Sequence, residues 1–304
     1  MSPAFAVLAF RRSPVRSSTS VSFKLRHKST MAAVVHNIAK VGFGTGTNEL
    51  YDCARPSYQS NALSHIRNAI KSSGPLNVVE IGAGTGIFTR ALLTHPEWSS
   101  SVKQLRAIEP SEGMRDVFAK SVTDARVSIA EGTFDSTGVE DGWADLVVIA
   151  QAFHWCPDYN KASAEFARIL KPDGIVAFIW NLDDRNGAPW VAQLRDRIEL
   201  HEAGTPQFRL GLWRATFSTP NYTALFQPPE ENAWDYVLPG TRDIVVDRAH
   251  SRSFITVLSP EQKQSLTSDI DGILQRKEGL VWIDEAKGIF EYPYNTFLVI
   301  ARKK

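Results

Sequence analysis

Short apolar runs alternate with amphipathic segments between residues 76 and 181. Runs rich in β-branched residues predict strands, and apolar residues at helical spacing predict the helices between them. The predicted strands are residues 77–81, 104–109, 126–130, 144–150 and 174–180, and the predicted helices are residues 87–93, 111–120 and 158–170. Strands that are apolar on both faces and alternate with helices indicate a parallel sheet covered on both sides. We therefore predict a doubly wound α/β fold with right-handed crossovers.

The alternation stops after residue 181. Residues 186–228 are rich in aromatic residues and proline and show no strand rhythm. Two further strands are predicted around Trp234 and at residues 294–301, with helices at 241–257 and 260–275 between them. This makes a mostly parallel sheet of seven strands. An aromatic-rich segment inserted before the last strands predicts a helical cap over the carboxyl edge of the sheet, where open α/β sheets bind ligands. The same aromatics could instead complete the core.

Composition narrows the class of protein. The 304 residues are 43% apolar and 22% charged, an ordinary globular balance. No apolar run approaches the roughly 18 residues of a membrane span, so we expect none. The two cysteines, Cys53 and Cys156, lie in no CxxC pair, and the histidines are scattered, so we expect neither a disulfide framework nor a metal site.

The basic residues are unevenly distributed. Residues 1–30 carry six Lys/Arg and no acid, whereas residues 31–304 carry 28 Lys/Arg and 33 Asp/Glu, a net charge of −5. An Arg- and Ser-rich segment without acids is typical of a mitochondrial transit peptide, so we predict a matrix protein, with a basic tail of no consequence as the alternative. Met31 offers a second start and hence a cytoplasmic form. The acidic body argues against a nucleic-acid partner.

A glycine turn between a strand and a helix carries the main chemical signal. Glycines recur at every second position from Gly82 to Gly86, at a spacing unlike the GxGxxG dinucleotide motif or the P-loop. Glu80 precedes the turn, and a carboxylate there disfavours a pyrophosphate but suits an ammonium or sulfonium group. Glu109 ends the next strand, where an acid can accept hydrogen bonds from two ribose hydroxyls. A ribose without phosphates on a cationic amino acid describes S-adenosylmethionine. NAD is the weaker alternative.

Three segments carry a family resemblance: the GAGTG turn with its strand, AIEPSEGM from residue 107 and QAFHW from residue 151. Together they resemble the class I S-adenosylmethionine-dependent methyltransferases, specifically the type 11 small-molecule branch with the trans-aconitate methyltransferase-like proteins of fungi. The segment YDCARPSY from residue 51 is similar to the N-terminal element of that branch. The resemblance implies a Rossmann-like methyltransferase fold divided into an N-terminal helical element (31–75) that closes the cofactor site, a cofactor-binding core (76–185), and the cap with the last strands (186–304).

The resemblance also implies roles for individual residues. The glycine turn would hold the methionine part of the cofactor, with Glu80 near its amine, and Glu109 would bind the ribose. Thr133 and Phe134 occupy the place that usually flanks the adenine edge, and Phe134 stands where the family has a small residue. The implied cofactor-binding residues are Glu80, Gly82, Ala83, Gly84, Gly86, Glu109, Pro110, Met114, Thr133, Phe134 and Gln151. Candidate acceptor residues, where the alternative is structural packing, are Tyr51, Arg55, Trp155, Trp190 and Trp213.

A methyl group on a sulfonium is already activated, so the protein mainly has to align the reactants and exclude water. His154 follows the fourth strand and is the candidate base, with a pKa expected near neutral; alternatively it forms a packed pair with Trp155. A carboxylate acceptor would need no base. Three arginines of the predicted helices after residue 240 could bind the carboxylate of an acceptor, or could instead lie on solvated helix faces: Arg242, Arg248 and Arg252.

These observations leave more than one function open. The first is methyl transfer to oxygen (carboxylate or hydroxyl) or carbon of a small molecule, and the cap aromatics favour a hydrophobic or aromatic acceptor. The second is a methyltransferase-fold mitochondrial assembly or binding factor with little turnover, because a fold does not fix a function. A macromolecular methyltransferase is less favoured, since the chain adds no RNA-binding module and residues 151–154 lack the motif typical of amino-nitrogen methylation. Oligomeric state is not predicted.

Overall fold

A computed structural model describes residues 48–304. The predicted transit peptide, the Met31 start and the first part of the N-terminal element lie outside these described residues. The helices are α1 Asn48–Ala54, α2 Ser60–Ala69, α3 Ile87–Thr94, α4 Pro96–Ser99, α5 Glu112–Ser121, α6 Tyr159–Ile169, α7 Pro189–Glu199, α8 Pro220–Leu225, α9 Arg242–His250, α10 Ser253–Thr256 and α11 Pro260–Gln275. The strands are β1 Leu76–Ile81, β2 Val102–Ile108, β3 Val127–Ala130, β4 Ala144–Ala150, β5 Leu170–Asp183, β6 Glu230–Gly240, β7 Trp282–Asp284 and β8 Ile289–Arg302.

In the described part of the chain these strands form one sheet in the order β3-β2-β1-β4-β5-β8-β6. Strands β1 to β5 pair in parallel, and β8 pairs antiparallel with both β5 and β6. The predicted doubly wound, mostly parallel sheet is confirmed. The short strand β7, which pairs with β8, is an addition to the seven predicted strands.

Local sequence signals set the ends of several helices. Asp158 accepts hydrogen bonds from the N–H groups of Asn160 and Lys161 at the start of α6. Ser259 and Gln262 form a reciprocal capping box at the start of α11. Such caps satisfy backbone donors that have no partner inside the helix. Among the described helices, none combines the length and the hydropathy that crossing a membrane requires.

Residues 171–174 follow the predicted helix at 158–170 and carry the turn signal Lys-Pro-Asp-Gly, which predicts a break between helix and strand, but they lie inside a strand. Strand β5 begins at Leu170, directly after α6, and its pairing with β4 skips from Leu170 to Ile175. Asp173 adopts the left-handed conformation at φ 64° within this irregularity. Residues 171–174 therefore bulge out of the parallel ladder and do not separate helix from strand.

Apolar clusters cover the two faces of the sheet. Side chains of α2 and α3 pack on one face, and α6 with the segment 208–226 packs on the other. A third cluster joins α7 to α9, α10, α11 and the first part of β8. The region after residue 186 is thus divided: part of it completes the core of the sheet, and part extends past the carboxyl edge of the parallel strands.

Candidate cofactor and acceptor site

Three adjoining cavities lie at the carboxyl ends of β1 and β4, where the strand order reverses. Their volumes are about 810, 640 and 410 Å³, and we call them the first, second and third cavities. Tyr51 from α1 and Gln151 from the end of β4 border all three. A reversal of strand order is where open α/β sheets bind ligands, because the loops after neighbouring strands diverge there.

The first cavity contains the glycine turn and the acid after β2. The carboxylate of Glu109 accepts hydrogen bonds from the backbone N–H of Gly84 and of Ser111, each at 2.9 Å. A carboxylate has about four acceptor positions, so two remain for a ligand's hydroxyls. Burial raises the pKa of Glu109, although both backbone hydrogen bonds oppose that shift. The remaining lining residues are Ile81, Gly82, Pro110, Met114, Thr133, Phe134, Ala150, Ala152 and Trp155.

The third cavity places Glu80 beside the other end of the glycine turn. Glu80 is only 1% exposed, and it accepts a hydrogen bond from the hydroxyl of Thr89. Burial raises its pKa to about 8, and no cation forms an ion pair with it within the described residues. A buried carboxyl group without a counter-charge, at the edge of a cavity, suits a ligand that brings an ammonium group.

Gln151 occupies a strained position where the cavities meet. Its φ of 56° is uncommon for a residue other than glycine. Its N–H donates to the carbonyl of Ile179 at 2.8 Å, and its side-chain amide donates to the carbonyl of Asn181 at 2.6 Å. Two hydrogen bonds to β5 therefore hold the conformation, and such strain is concentrated at functional sites.

The second cavity is rich in guanidinium groups. Arg195 and Arg209 form ion pairs with acids of the same region, and Arg252 pairs with Asp183. Arg55 pairs with no carboxylate among the described residues, and no Asp or Glu precedes residue 49 in the sequence. The other lining residues include His154, Trp155, Asn181, Leu182, Gln207, Phe208, Ser253 and Phe254.

Asp183 anchors two of these arginines. Its carboxylate contacts Arg252, lies 3.2 Å from Arg195, and accepts a hydrogen bond from the hydroxyl of Tyr292 at 3.1 Å. The Arg252 and Arg195 guanidinium groups hold its pKa well below the usual range, against the opposing effect of burial. Burial lowers the pKa of Arg252, and the nearby Arg195 and Arg55 lower it further, although Asp183 opposes the shift. Asp183 thus serves two guanidinium groups at once, and Arg195 has a second carboxylate partner in Glu199.

His154 lines the second cavity, and one nitrogen of its ring is hydrogen-bonded to a buried tryptophan. The indole Nε1–H of Trp180 donates to His154 Nδ1 at 3.3 Å. Desolvation lowers the pKa of His154 to about 3, and the Arg55 charge adds to that effect. A ring that protonates only near pH 3 is a weak proton acceptor, so the expected pKa near neutral is wrong.

Most residues implied to bind the cofactor line the first or third cavity, and Gly86 is an exception. Gly86 sits at φ 88° at the start of α3, and an added Cβ would lie 2.7 Å from Val122 and 2.9 Å from Phe118. Glycine is therefore needed here because the turn packs closely against α5. Gly86 does not line any of the three cavities. Ala83 borders the third cavity.

The acceptor candidates separate into two groups. Tyr51, Arg55 and Trp155 line cavities. Trp190 and Trp213 are each 1% exposed and lie in apolar clusters, Trp190 against Phe290 and Tyr292 and Trp213 against Trp180 and Phe208. Their interpretation as acceptor-binding residues is wrong, because large apolar side chains of the insertion are used to fill the core.

The three late arginines also differ in their surroundings. Arg242 is exposed and pairs with Asp243 and Asp271, and Arg248 is buried against the rings of Tyr292 and Tyr294. Only Arg252 reaches the second cavity. The sequence interpretation missed Asp183, which pairs with Arg195 and Arg252. It also missed the lining residues that come from distant segments: Asn181, Arg195, Gln207, Phe208 and Arg209.

The lining residues fit S-adenosylmethionine. Glu109 retains acceptor positions for ribose hydroxyls, and the buried Glu80 lacks the counter-charge that the ammonium group would supply. Gly84, at φ 57°, leaves open space where a Cβ would stand. Among the described residues no group of His, Cys, Asp and Glu has the arrangement to hold a metal ion.

Comparison with known proteins agrees with this fit. Residues 79–178 match the type 11 family described as "Methyltransferase domain". An uncharacterized methyltransferase-like protein of Schizosaccharomyces pombe is 28% identical over 73% of this chain and 82% of its own length. A malonyl-[acyl-carrier protein] O-methyltransferase of Methylococcus capsulatus is 28% identical over 34% of this chain and 37% of its own.

A solved structure from Anaeromyxobacter dehalogenans, provisionally named a type II methyltransferase, has the same fold. It superposes with a TM-score of 0.60 at 16% identity, covering 82% of this chain and 97% of that one. The family match spans β1 to β5, the part that carries the glycine turn, Glu109 and Gln151. Residues 79–178 therefore carry a type 11 methyltransferase domain, and this domain identifies the chain as an S-adenosylmethionine-dependent methyltransferase.

Proposed function

We propose that this enzyme transfers a methyl group to a carboxylate oxygen of a small anionic acceptor bound in the second cavity. The observation that carries the proposal is the excess of guanidinium groups there. Arg55, Arg195, Arg209 and Arg252 line the cavity, whereas Arg55 has no carboxylate partner in the described residues. Arginine forms strong, geometrically specific hydrogen bonds with carboxylates.

The cofactor would occupy the first and third cavities. Glu109 would hold the ribose, the backbone around Gly84 and the carboxyl group of Glu80 would hold the methionine part, and Met114 and Phe134 would flank the adenine. When bound, the cofactor supplies an activated methyl group, which the acceptor oxygen takes with its own lone pair while the C–S electron pair stays on sulfur. Tyr51 and Gln151 border all three of these cavities, so the two ligands would meet beside them.

A carboxylate acceptor agrees with the state of His154. A carboxylate oxygen brings its own negative charge, so no proton has to be removed before methyl transfer. A hydroxyl or carbon acceptor would benefit from a general base with a pKa near the working pH, and the low pKa of His154 makes it unsuited to that task. Alignment by Arg55, Arg252 and Gln151, with exclusion of water, is then the enzyme's main contribution.

The relatives offer limited support for the substrate class. The relative from Methylococcus capsulatus is named as an O-methyltransferase of malonyl-[acyl-carrier protein], but it covers only a third of this chain. A trans-aconitate-like acceptor is a member of the proposed class that should be tested first among simple acids.

The test is product identification. Purified enzyme is incubated with methyl-labelled S-adenosylmethionine and the anionic fraction of a metabolite extract, and labelled products are identified by mass spectrometry. We expect a labelled ester that releases methanol on mild alkaline hydrolysis, and no product with Glu109→Ala. A base-stable labelled product, or cofactor binding without turnover on any acidic fraction, would contradict the proposal.

A further inference from the structure

His154 is held by a donor that fixes which ring nitrogen carries the proton. The Trp180 indole nitrogen can only donate, so His154 Nδ1, at 3.3 Å, has to accept. In a neutral imidazole the proton then lies on Nε2. Trp180 is fully buried on β5 and packs against Phe208 and Trp213, so the donor has little freedom to move.

Burial and the charge of Arg55 keep the ring of His154 neutral. Desolvation is the larger cause of its lowered pKa, and the guanidinium group of Arg55 acts in the same direction. Arg195, Arg209 and Arg252 line the same cavity. No carboxylate forms an ion pair with this ring in the described part of the chain. An imidazolium would therefore be unfavourable, whereas a neutral N–H donor is compatible with these neighbours.

The second ring nitrogen is available to a ligand. Among the described residues, His154 Nε2 has no hydrogen-bond partner, and the ring borders the cavity that we assign to the acceptor. Gln151, also in that wall, directs its side-chain amide to the carbonyl of Asn181. The Nε2–H of His154 is thus an uncommitted neutral donor at this point of the wall.

We propose that His154 is a positioning residue for the acceptor: its Nε2–H donates a hydrogen bond to the acceptor's carboxylate, and Trp180 fixes the tautomer that makes this possible. The inference rests on the proposed function, because it assumes an anionic acceptor in the second cavity. In this role His154 removes no proton from the acceptor. Arg55 and Arg252 would attract the negative charge of the acceptor's carboxylate, and the hydrogen bond from His154 would orient that carboxylate.

The tautomer can be measured without knowing the acceptor. Histidine-selective ¹⁵N labelling of the full chain, loaded with S-adenosylhomocysteine, gives separate signals for the two ring nitrogens of His154, assigned with His154→Gln. We expect an unprotonated Nδ1 and a protonated Nε2, unchanged from about pH 5.5 to 8 because burial keeps the ring neutral. A protonated Nδ1, or an imidazolium forming within this range, would overturn the proposal.

Acceptor binding is then tested with acetate, benzoate and malonate as probes. We expect at least one probe to shift the Nε2 signal. His154→Gln places an amide N–H near the position of Nε2, whereas His154→Asn reaches only the position of Nδ1. We therefore expect His154→Gln to keep the probe affinity within a few-fold and His154→Asn to weaken it on the order of 10- to 100-fold. Equal effects of the two variants, at unchanged S-adenosylhomocysteine affinity, would overturn the proposal, as would an Nε2 signal that no probe moves.

The Trp180→Phe variant tests whether Trp180 determines the tautomer of His154. It removes the indole N–H together with part of the buried ring, so we expect the signals of His154 to move toward a mixture of tautomers while S-adenosylhomocysteine still binds. If a Trp180→Phe protein that binds the thioether keeps the Nε2–H tautomer unchanged, Trp180 does not set it. Failure of this proposal is distinguishable from failure of the proposed function, which depends on whether a methyl ester forms at all.

Discussion

The side chain of Glu109 accepts a hydrogen bond from the backbone N–H of Gly84, so the acid after β2 also holds the glycine turn after β1. One carboxylate therefore connects the two strand ends between which we propose that the cofactor binds. This coupling means that removing the carboxylate affects both the ribose contact and the turn.

Replacing Glu109 by Ala is expected to weaken S-adenosylmethionine binding by on the order of 100-fold or more, because contacts to ribose and turn are lost together. Isothermal titration calorimetry measures the affinity. Glu112→Gln, an exposed acid on the next helix, is the matched control and should bind normally. Near-normal affinity of Glu109→Ala would contradict the placement of the ribose.

Two glycines of the same turn should respond differently to alanine. Gly84→Ala meets no atom within 4 Å, so the strain of its φ of 57° should cost about 1–2 kcal/mol of unfolding free energy, while the methyl group enters the space for the cofactor. Gly86→Ala adds collisions with Val122 and Phe118 to similar strain, so it should destabilise more.

Urea unfolding and cofactor titration together separate these effects. We expect the greater loss of stability in Gly86→Ala and a loss of affinity beyond its stability cost in Gly84→Ala. A Gly84→Ala protein with wild-type affinity would show that this space does not receive the cofactor.

Binding of S-adenosylmethionine should release protons near pH 6.5. The pKa of Glu80 is about 8 in the free protein, so the group is largely protonated there, and an ammonium group beside it lowers that pKa. Calorimetry in buffers of different ionisation enthalpy measures the release, which we expect to approach one proton. Glu80→Gln should abolish it, and an equal release in that variant would contradict the assignment.

The same raised pKa has a consequence for the free protein. Because Glu80 binds its proton more tightly when folded, its contribution to stability is complete below about pH 4.5 and is lost as the pH rises through about 8. Thermal unfolding of the cofactor-free enzyme should therefore show wild type losing stability relative to Glu80→Gln between these values. The opposite slope would indicate a counter-charge already present.

Asp183→Asn should cost about 3–5 kcal/mol of unfolding free energy near neutral pH, because it leaves the buried guanidinium group of Arg252 without its carboxylate partner and leaves Arg195 with Glu199 alone. The folded-state pKa of Asp183 is depressed, so its contribution is present above about pH 4 and is lost on further acidification. Asp196→Asn removes an exposed pair with Arg185 and should change the value by less than about 1 kcal/mol. Urea unfolding at pH 7 and pH 3 checks both, and equal losses in the two variants would contradict the argument.

We also propose that residues 1–30 direct import into mitochondria, because they combine basic residues and serines with no acid. Fused to a fluorescent protein, this segment should give mitochondrial fluorescence, and a chain begun at Met31 should remain in the cytosol. Cytosolic fluorescence of the first fusion would contradict import.

The cofactor half of the site was predictable because its signals are local. The glycine turn, Glu80 and Glu109 stand at the ends of two neighbouring parallel strands, and parallel strands place their carboxyl ends at one edge of the sheet. The strained φ of Gln151 was not predictable, since it depends on hydrogen bonds to residues about 30 positions later.

The residues of the proposed acceptor site follow no such local pattern in the sequence. Arg55, Asn181, Arg195 and Arg252 belong to four separate segments, and only the folded chain brings them to one cavity. The aromatic excess after residue 186 was misleading for the same reason. From the sequence alone, Trp190 and Trp213 could be predicted to contact an acceptor, but in the folded chain both are buried in the core.

Because Tyr51 and Gln151 form a border common to all three cavities, the thioether and acceptor halves can be joined in one compound. An adenosyl thioether extended from sulfur to a short dicarboxylate would be a bisubstrate inhibitor that covers Gln151. Its affinity should exceed that of either half alone, since the second half binds at a high effective concentration once the first is held. The junction of the cavities thus defines where an inhibitor selective for this enzyme would place its linker.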